Sequence, residues 1–377
     1  MPKSLKISVI VVLSIVMLSL AFGAGCLVPS SSGPNTQLLD QAWSTITQYY
    51  VVPSIANSTT LNEGAVKGMV QALNDPYSAY LSPSEYKLAQ SGLAGTFSGI
   101  GAQVGLNSAN QPIILAPLPN SPAAKAGIKS GDVILAVNGE STKGLSLTQV
   151  VLLVRGPAGT TVKLLIQHEG ETTPVEIDVV RAQISYPSVT YQMMGNISYI
   201  DITSFDQNTN TELNAALQAL DLKDSIGIIL DLRDNPGGLV TVVVDVASHF
   251  IKSGVIVTLV NNKGDRSSQS ANPNGVYTDL PMVVLVNQYT ASGSEVLSGA
   301  LQDYHRATIA GNTTLGKGSY DSFFQLSDGS AIYLTIGRWL TPDGREIEGK
   351  GITSDYVLTQ PNSQWIQWAI NFLNTAR

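Results

Sequence analysis

From Tyr186 onward, apolar runs of strand length alternate with helical stretches, and this alternation constrains the fold of the 377-residue chain more than any other feature. ISYIDITSF is followed by the helical pattern TELNAALQALDL, SIGIILDLR by LVTVVVDVASHF, and PMVVLVN by EVLSGALQDY, before a further run, ATIAG. The runs SIGIILDLR and PMVVLVN are apolar at consecutive positions, so both faces of those strands must be covered. Strands separated by helices pair in parallel, and a parallel sheet buried on both faces lies between layers of helices. SAIYLTIGRWLTPDGREI reads as a closing strand pair and SQWIQWAINFLN as a terminal helix. The expected class is α/β, with a largely parallel sheet core flanked by helices.

Two blocks precede this core. From Leu38 to about Gln90, LLDQAWSTITQYY and LNEGAVKGMVQALND place apolar residues at three- and four-residue steps, the pattern of amphipathic helices. With the turn-rich DPYSAYLSP, this region reads as a helical subdomain without chemistry of its own. From about Thr96 to Arg181, short strands such as PIILAPLP, DVILAVNGE and TVKLLIQHEG are separated by glycine and proline turns, with one helical stretch, SLTQVVLLVRG. Within it, SPAAKAGIKSGDVILAVNGES (121–141) resembles a PDZ domain at Ala124, Gly127, Gly131, Asp132, Ile134, Asn138 and Gly139. The resemblance implies that a peptide adds a strand to the sheet edge and that the loop Ser98, Gly99, Ile100 and Gly101 holds its terminal carboxylate. Taken alone, that loop reads equally well as an ordinary β-turn.

The N-terminus carries Lys3 and Lys6 ahead of 22 uncharged residues, 7–28, enough to span a hydrocarbon core of roughly 30 Å as a helix. Basic residues before an apolar run keep that end in the cytoplasm and send the rest across. The run stays as an anchor, or GAGC is a lipoprotein cleavage site that leaves Cys26 lipidated. The polar segment SSSGPNTQ follows as a linker. The expected location is extracytoplasmic, at a bacterial cell envelope. The net charge of −7 offers no basic stripe for phosphates, which argues against a nucleic-acid partner. One cysteine and three scattered histidines leave no internal disulfide and no clustered metal ligands, so neither a metal nor a cofactor is expected.

Three segments carry candidate chemistry. TASGSE (290–295) lies where a strand gives way to a helix, at the sheet edge where reactive groups collect in α/β folds. Ser292 and Glu295 fit S-x-x-E, a capping box, and Ser294 alone could cap the helix; Ser292 is also placed to be a nucleophile. LDLRDNPGG (230–238) runs from strand through a Pro-Gly-Gly turn into a helix, so its N–H groups could form an oxyanion hole. GNTTLGKGSYD (311–321) mimics a phosphate-binding loop. However, Gly318 replaces the magnesium-binding hydroxyl and strand-like residues follow, whereas such a loop must open a helix. Lys317 is then a candidate base. At the reference pKa of about 10.4, roughly one lysine in 2,500 is neutral at pH 7, a handicap of about 4.6 kcal/mol that burial can largely remove. A Ser-Lys pair needs no histidine.

Taken in order, GAVKGMVQALNDPYSAYLSP, the PDZ-like block, LDLRDNPGG, TASGSE, LQDY, GNTTLGKG, LSDGSAIYLT and TPDGREIEGKGI resemble the C-terminal processing (tail-specific) peptidases from about Leu38 to Tyr356. These are serine endopeptidases with a Ser-Lys pair. The resemblance implies Ser292 as nucleophile and Lys317, 25 positions later, as base. It implies oxyanion donors at Gly293 and in the Pro-Gly-Gly turn, at Gly238 first and Gly237 second. Gly293 stands where the family often has alanine. Asp321 stands where the family commonly has a glutamine that orients the lysine, and an ionised carboxylate there favours the charged ammonium. Expected domains are an anchor and linker (1–34), an N-terminal helical region (35–93), an inserted β-rich PDZ domain (94–182), the peptidase core (183–358) and a C-terminal helix (359–377). Expected partners are polypeptides with free unstructured C-termini, the membrane, and a second copy of the chain through the N-terminal helices. The competing reading is a membrane-tethered PDZ scaffold with an inactive peptidase domain.

Overall fold

The computed structural model describes residues 36–92, 97–107, 109–184, 187–220, 222–272 and 276–375. The apolar run 7–28, with Cys26, lies outside them, and among the described residues no helix is long and apolar enough to cross a membrane. The chain forms two compact units, Met1–Ala65 and Val66–Arg377. In the first, helix Gln37–Tyr49 is amphipathic, yet none of its residues is buried; Leu38, Leu39, Ile46 and Tyr49 are all exposed.

The core of the second unit is a six-stranded sheet in the order Val189–Met194, Ile197–Ile202, Gly227–Asp231, Met282–Val286, Thr308–Gly311, Tyr356–Val357. The first pair is antiparallel and every later pair is parallel, as the alternation of strands and helices requires. Gly227–Asp231 and Met282–Val286 are buried at every residue, which is why their sequences are continuously apolar. Helices Thr209–Ala219, Val240–Ala247 and Gly293–Asp303 share one hydrophobic cluster with the strands. Trp365, Ala369 and Leu373 of helix Trp365–Thr375 cover the opposite face, against Ile229, Val283 and Leu285. Val240–Ala247, VTVVVDVA, is helical despite five valines; burial of Val242, Val243, Val244 and Val246 overrides their weak helix propensity.

A second sheet was read from the sequence only in part: strands were expected after Lys317 and in SAIYLTIGRWLTPDGREI, but not their partners. It is antiparallel, ordered Ala79–Leu81, Ala331–Leu340, Val255–Asn261, Arg266–Ser270, with Ser319–Gln325 also paired to Ala331–Leu340. Its first strand comes from DPYSAYLSP, the stretch read only as turns. The inserted domain has its own sheet, Ala102–Leu106, Pro112–Pro117, Val133–Val137, Thr161–Gln167 and Val175–Val180, with helices Pro122–Lys125 and Leu147–Val154. Its own apolar cluster includes Ile114, Ile134, Val150 and Leu164. Two short strands, Phe97–Gly99 and Ala182–Ile184, pair where the insertion leaves and rejoins the core.

Candidate active site

Ser292 closes the turn between strand Met282–Val286 and helix Gly293–Asp303, at the C-terminal edge of the parallel sheet. Its backbone sits at φ 53°, ψ −117°. A residue with a Cβ rarely adopts that conformation, which costs of order 1–3 kcal/mol and persists only where neighbours enforce it. Strain of this kind on a strand–turn–helix is the geometry of a nucleophile elbow. The enforcing bonds are visible. Ala291 N–H donates to Asn235 O (3.0 Å), the Thr290 hydroxyl to Leu232 O (2.7 Å), and Asn287 Nδ2 to Asp234 Oδ1 (2.8 Å). The turn before Ser292 is thus stapled to the turn after strand Gly227–Asp231.

The second serine of the motif differs from the capping reading. Ser294 lies inside the helix, is 0% exposed, and spends its hydroxyl on Asn235 O at 3.1 Å. It neither caps the helix nor faces a cleft. Ser292 keeps 7% of its surface.

The Pro-Gly-Gly turn lies directly against this elbow. Gly237 (φ +93°) and Gly238 (φ +151°) have backbones that side chains rarely permit. A Cβ on Gly237 would fall 2.8 Å from Ser292 Cβ, and one on Gly238 would fall 2.1 Å from Phe205 O. The two candidate donors separate here. Gly237 N–H is taken by Asn235 Oδ1 at 2.8 Å, so the second-choice assignment of Gly237 is corrected. Among the described residues, Gly238 N–H and Gly293 N–H have no acceptor within the chain, and they lie side by side, since a Cβ on Gly293 would stand 3.3 Å from Gly238 N. That same Cβ would meet Val243 Cγ2 at 2.8 Å, which accounts for glycine at 293.

Lys317 arrives on a loop between Thr308–Gly311 and Ser319–Gln325. The two flanking glycines allow close approach: a Cβ on Gly318 would lie 2.1 Å from Glu348 N. A strand follows, not a helix, as expected for a loop that binds no nucleotide. What joins this loop to the elbow is Glu295, which the sequence showed only as half of a capping box. Glu295 is 0% exposed. Its Oε2 accepts from Ser292 N–H (2.8 Å) and Lys317 N–H (2.9 Å). Its Oε1 accepts from Thr314 Oγ1 (2.5 Å) and Gly316 N–H (2.6 Å). One carboxylate oxygen therefore holds the backbones of both candidate catalytic residues. Desolvation pushes the Glu295 carboxyl up to about 7, against the four donors that favour its charge.

The Lys317 side chain points to Asp321, with Nζ 2.9 Å from Oδ2; side-chain exposures are 17% and 3%. Asp321 also accepts from Thr335 Oγ1 (2.7 Å) and Tyr333 OH (3.2 Å). The ring of Tyr77 stands 4.3 Å below the same Nζ. Ser292 Oγ and Lys317 Nζ are not hydrogen-bonded to each other in this arrangement. Tyr77 comes from DPYSAYLSP, so the region read as free of chemistry lines the lysine. Burial, then nearby Glu348, Glu295, Asp321 and Asp75, pushes its phenol up to about 12, so it stays neutral at ordinary pH.

In the inserted domain, Ser98 and Gly99 lie on the strand paired with Ala182–Ile184, and Ile100 and Gly101 turn toward strand Ala102–Leu106. Ile100 O and Gly101 O accept from Ala123 N–H and Leu118 N–H, whereas neither residue's own N–H makes a backbone hydrogen bond outside the strands. A cavity of about 250 Å³ opens beside this loop, bounded by Val104, Val151 and Val154 and, from the core, by Ser204, Asp206 and Pro236. Gln103 Nε2 donates to Thr203 O across it at 2.6 Å. The loop and the groove between Ala102–Leu106 and Leu147–Val154 thus face the Pro-Gly-Gly turn.

Family models match in three places: peptidase family S41 over residues 196–358, a PDZ domain over 113–168, and the N-terminal domain of the activating protease CtpB over 29–84. The fold and these matches define a serine peptidase that carries a PDZ domain. The chain is 39% identical over 327 residues to a carboxyl-terminal-processing protease of Synechocystis sp., covering 85% of this chain and 76% of that one. It is 37% identical over 333 residues to a probable CtpA-like serine protease of Staphylococcus epidermidis, covering 88% and 67%. The solved structure of a photosystem II D1 C-terminal processing protease superposes with a TM-score of 0.71 at 31% identity, covering 86% and 92%. The chain belongs to peptidase family S41, among the carboxyl-terminal-processing proteases.

Proposed function

We propose that this peptidase works at the cell envelope, cutting polypeptides at or near unstructured C-terminal tails with Ser292 as nucleophile and Lys317 as base. The observation that carries the pairing is Glu295 Oε2, which holds Ser292 N–H and Lys317 N–H together beside two unspent donors. The neutral amine of Lys317 takes the proton from Ser292 Oγ as that oxygen attacks the peptide carbonyl carbon. The carbonyl oxygen becomes the oxyanion, held by Gly238 N–H and Gly293 N–H, donors fixed before charge develops. When the tetrahedral species collapses, the C–N bond breaks and the Lys317 ammonium returns the proton to the leaving amine. Water, deprotonated by the same lysine, then hydrolyses the acyl-enzyme. For the first transfer, Nζ must turn from Asp321 to Ser292.

The unspent N–H groups of Ile100 and Gly101 support capture of a substrate's terminal carboxylate by the PDZ domain, with Ser98 and Gly99 continuing the strand. Lys3, Lys6 and the apolar run 7–28 support an extracytoplasmic enzyme anchored by its N-terminus, or lipidated at Cys26. The exposed apolar side chains of Gln37–Tyr49 support pairing of two copies.

The test is cleavage of an unfolded protein with a free C-terminus. Activity is expected to vanish in Ser292→Ala and in Lys317→Ala, and to fall when the substrate's C-terminus is amidated. Full activity in Ser292→Ala overturns the assignment. The competing reading, a PDZ scaffold with an inactive peptidase domain, is favoured by the Lys317–Asp321 ion pair, which engages the amine with a partner other than Ser292. No cleavage by the intact chain at any pH would select it.

A further inference from the structure

We propose that Tyr77 is a positioning residue for the reaction, acting through Lys317: its ring face is one wall of the lysine site and sets where, and at what pH, the amine becomes free to act. The inference rests on Lys317 being the base.

The geometry is direct. Lys317 Nζ lies 4.3 Å from the Tyr77 ring centroid and 2.9 Å from Asp321 Oδ2. A ring face carries negative electrostatic potential, so at this distance it attracts an ammonium and offers a neutral amine much less. The ring therefore acts together with Asp321 in favouring the charged form. It also excludes water from one side of Nζ, leaving fewer directions in which the side chain can turn.

Tyr77 is itself held firmly. Asp75 Oδ1 accepts from Tyr77 N–H at 3.1 Å, and Asp75 Oδ2 accepts from the Ser78 hydroxyl at 2.5 Å. Ser78 Oγ in turn accepts from Thr335 N–H at 3.1 Å, and Thr335 is the residue whose hydroxyl donates to Asp321. On the other side, Pro76 O accepts from Leu147 N–H at 3.1 Å, at the first turn of the helix that borders the PDZ groove. The loop that carries the ring is thus tied both to the strand that positions Asp321 and to the inserted domain. The charged or titratable groups around the lysine are Asp321 and Tyr333 from the second sheet, Glu295 from the elbow helix, Glu348 from the loop beyond Gly318, and Asp75 and Tyr77 from this loop.

The experiment compares pH profiles of kcat/KM for the full-length chain, its Tyr77→Leu and Tyr77→Phe variants, and a series with Tyr77 replaced by phenylalanines of increasing fluorination. Leucine keeps an apolar wall but removes the ring face. Fluorination keeps the shape and progressively weakens the face, which covers the case of a leucine variant that fails to fold. The acidic limb is expected to move down by about 0.5–1 pH unit in Tyr77→Leu and stepwise along the fluorinated series, with a lower plateau for leucine. Tyr77→Phe is expected to keep the wild-type limb. Limbs that superimpose across the series, or that move up, overturn the inference. So does a shift in Tyr77→Phe as large as the one in Tyr77→Leu. Lys317→Ala, run beside them, separates the two failures: if it retains activity, the assignment of the base is wrong; if it is inactive and the limbs do not move, only the role of Tyr77 is wrong.

Discussion

Asp321→Gln removes a negative charge that lies 2.9 Å from Lys317 Nζ, in a pair whose side chains are 17% and 3% exposed. At an effective dielectric of about 20, two unit charges so placed attract by roughly 6 kcal/mol, an upper bound on what the carboxylate contributes to the ammonium. Opposite charges at this range displace a partner's titration by about 1–3 pH units. Exposure is too slight for solvent to screen most of that. Thr335 Oγ1 donates to Oδ1 and Tyr333 OH to Oδ2; in the amide one hydroxyl keeps a carbonyl acceptor and the other can rotate to accept from the NH₂. Asp321→Asn is the control of equal length. For both variants the acidic limb of kcat/KM is expected to move down by at least about one unit, and activity on that limb to rise about tenfold for each unit moved. The assay is quantified cleavage of an unfolded protein between pH 5.5 and 10. Profiles that superimpose on the wild type would show that the carboxylate does not govern the amine, and the ion pair would lose its part in the mechanism.

Glu295→Gln places an amide NH₂ against at least two of the donors now satisfied by the carboxylate, and leaving two buried donors unpaired costs about 2–6 kcal/mol in unfolding free energy, readable by urea titration. Gly238→Ala drives a Cβ into Phe205 O, and kcat is expected to fall by about 10²–10³ as the oxyanion donor is displaced; near-normal kcat would remove Gly238 from the hole. Burial raises the Asp201 carboxyl to about 7, and burial likewise raises Glu295 to about 7. Between about pH 4 and 7 the folded chain holds protons that the unfolded chain has released, so unfolding free energy falls as pH rises, by at most about 1.4 kcal/mol per unit per group. Asp201→Asn is expected to flatten that slope in denaturant titrations, and an unchanged slope would contradict it.

The parallel core was legible because its strands are buried on both faces, and consecutive apolar residues in Gly227–Asp231 and Met282–Val286 permit little else. The PDZ fold was legible as a family resemblance carried by residues 121–141. The antiparallel sheet was legible only in the strands after Lys317 and in SAIYLTIGRWL; RSSQS is almost wholly polar, and Ala79–Leu81 is only three residues long inside a stretch full of turn formers. At the site, the resemblance to the C-terminal processing peptidases implied Ser292, Lys317 and Gly238. Glu295 was visible as S-x-x-E, but its long-range bonds to Gly316 and Lys317 follow from tertiary packing, which no local pattern encodes. The same holds for Tyr77, 240 residues from the lysine it faces. The choice between Gly237 and Gly238 depended on which N–H the Asn235 side chain takes, a matter of a single hydrogen bond.

The central claim, that Ser292 is a nucleophile activated by Lys317, is tested most directly by treating the full-length chain with a serine-directed fluorophosphonate and mapping the adduct by peptide mass spectrometry. A single phosphonylated residue, Ser292, is expected, with labelling that rises with pH and is lost in Lys317→Ala. An adduct on Ser294, or equal labelling of Ser292 with and without Lys317, would contradict it.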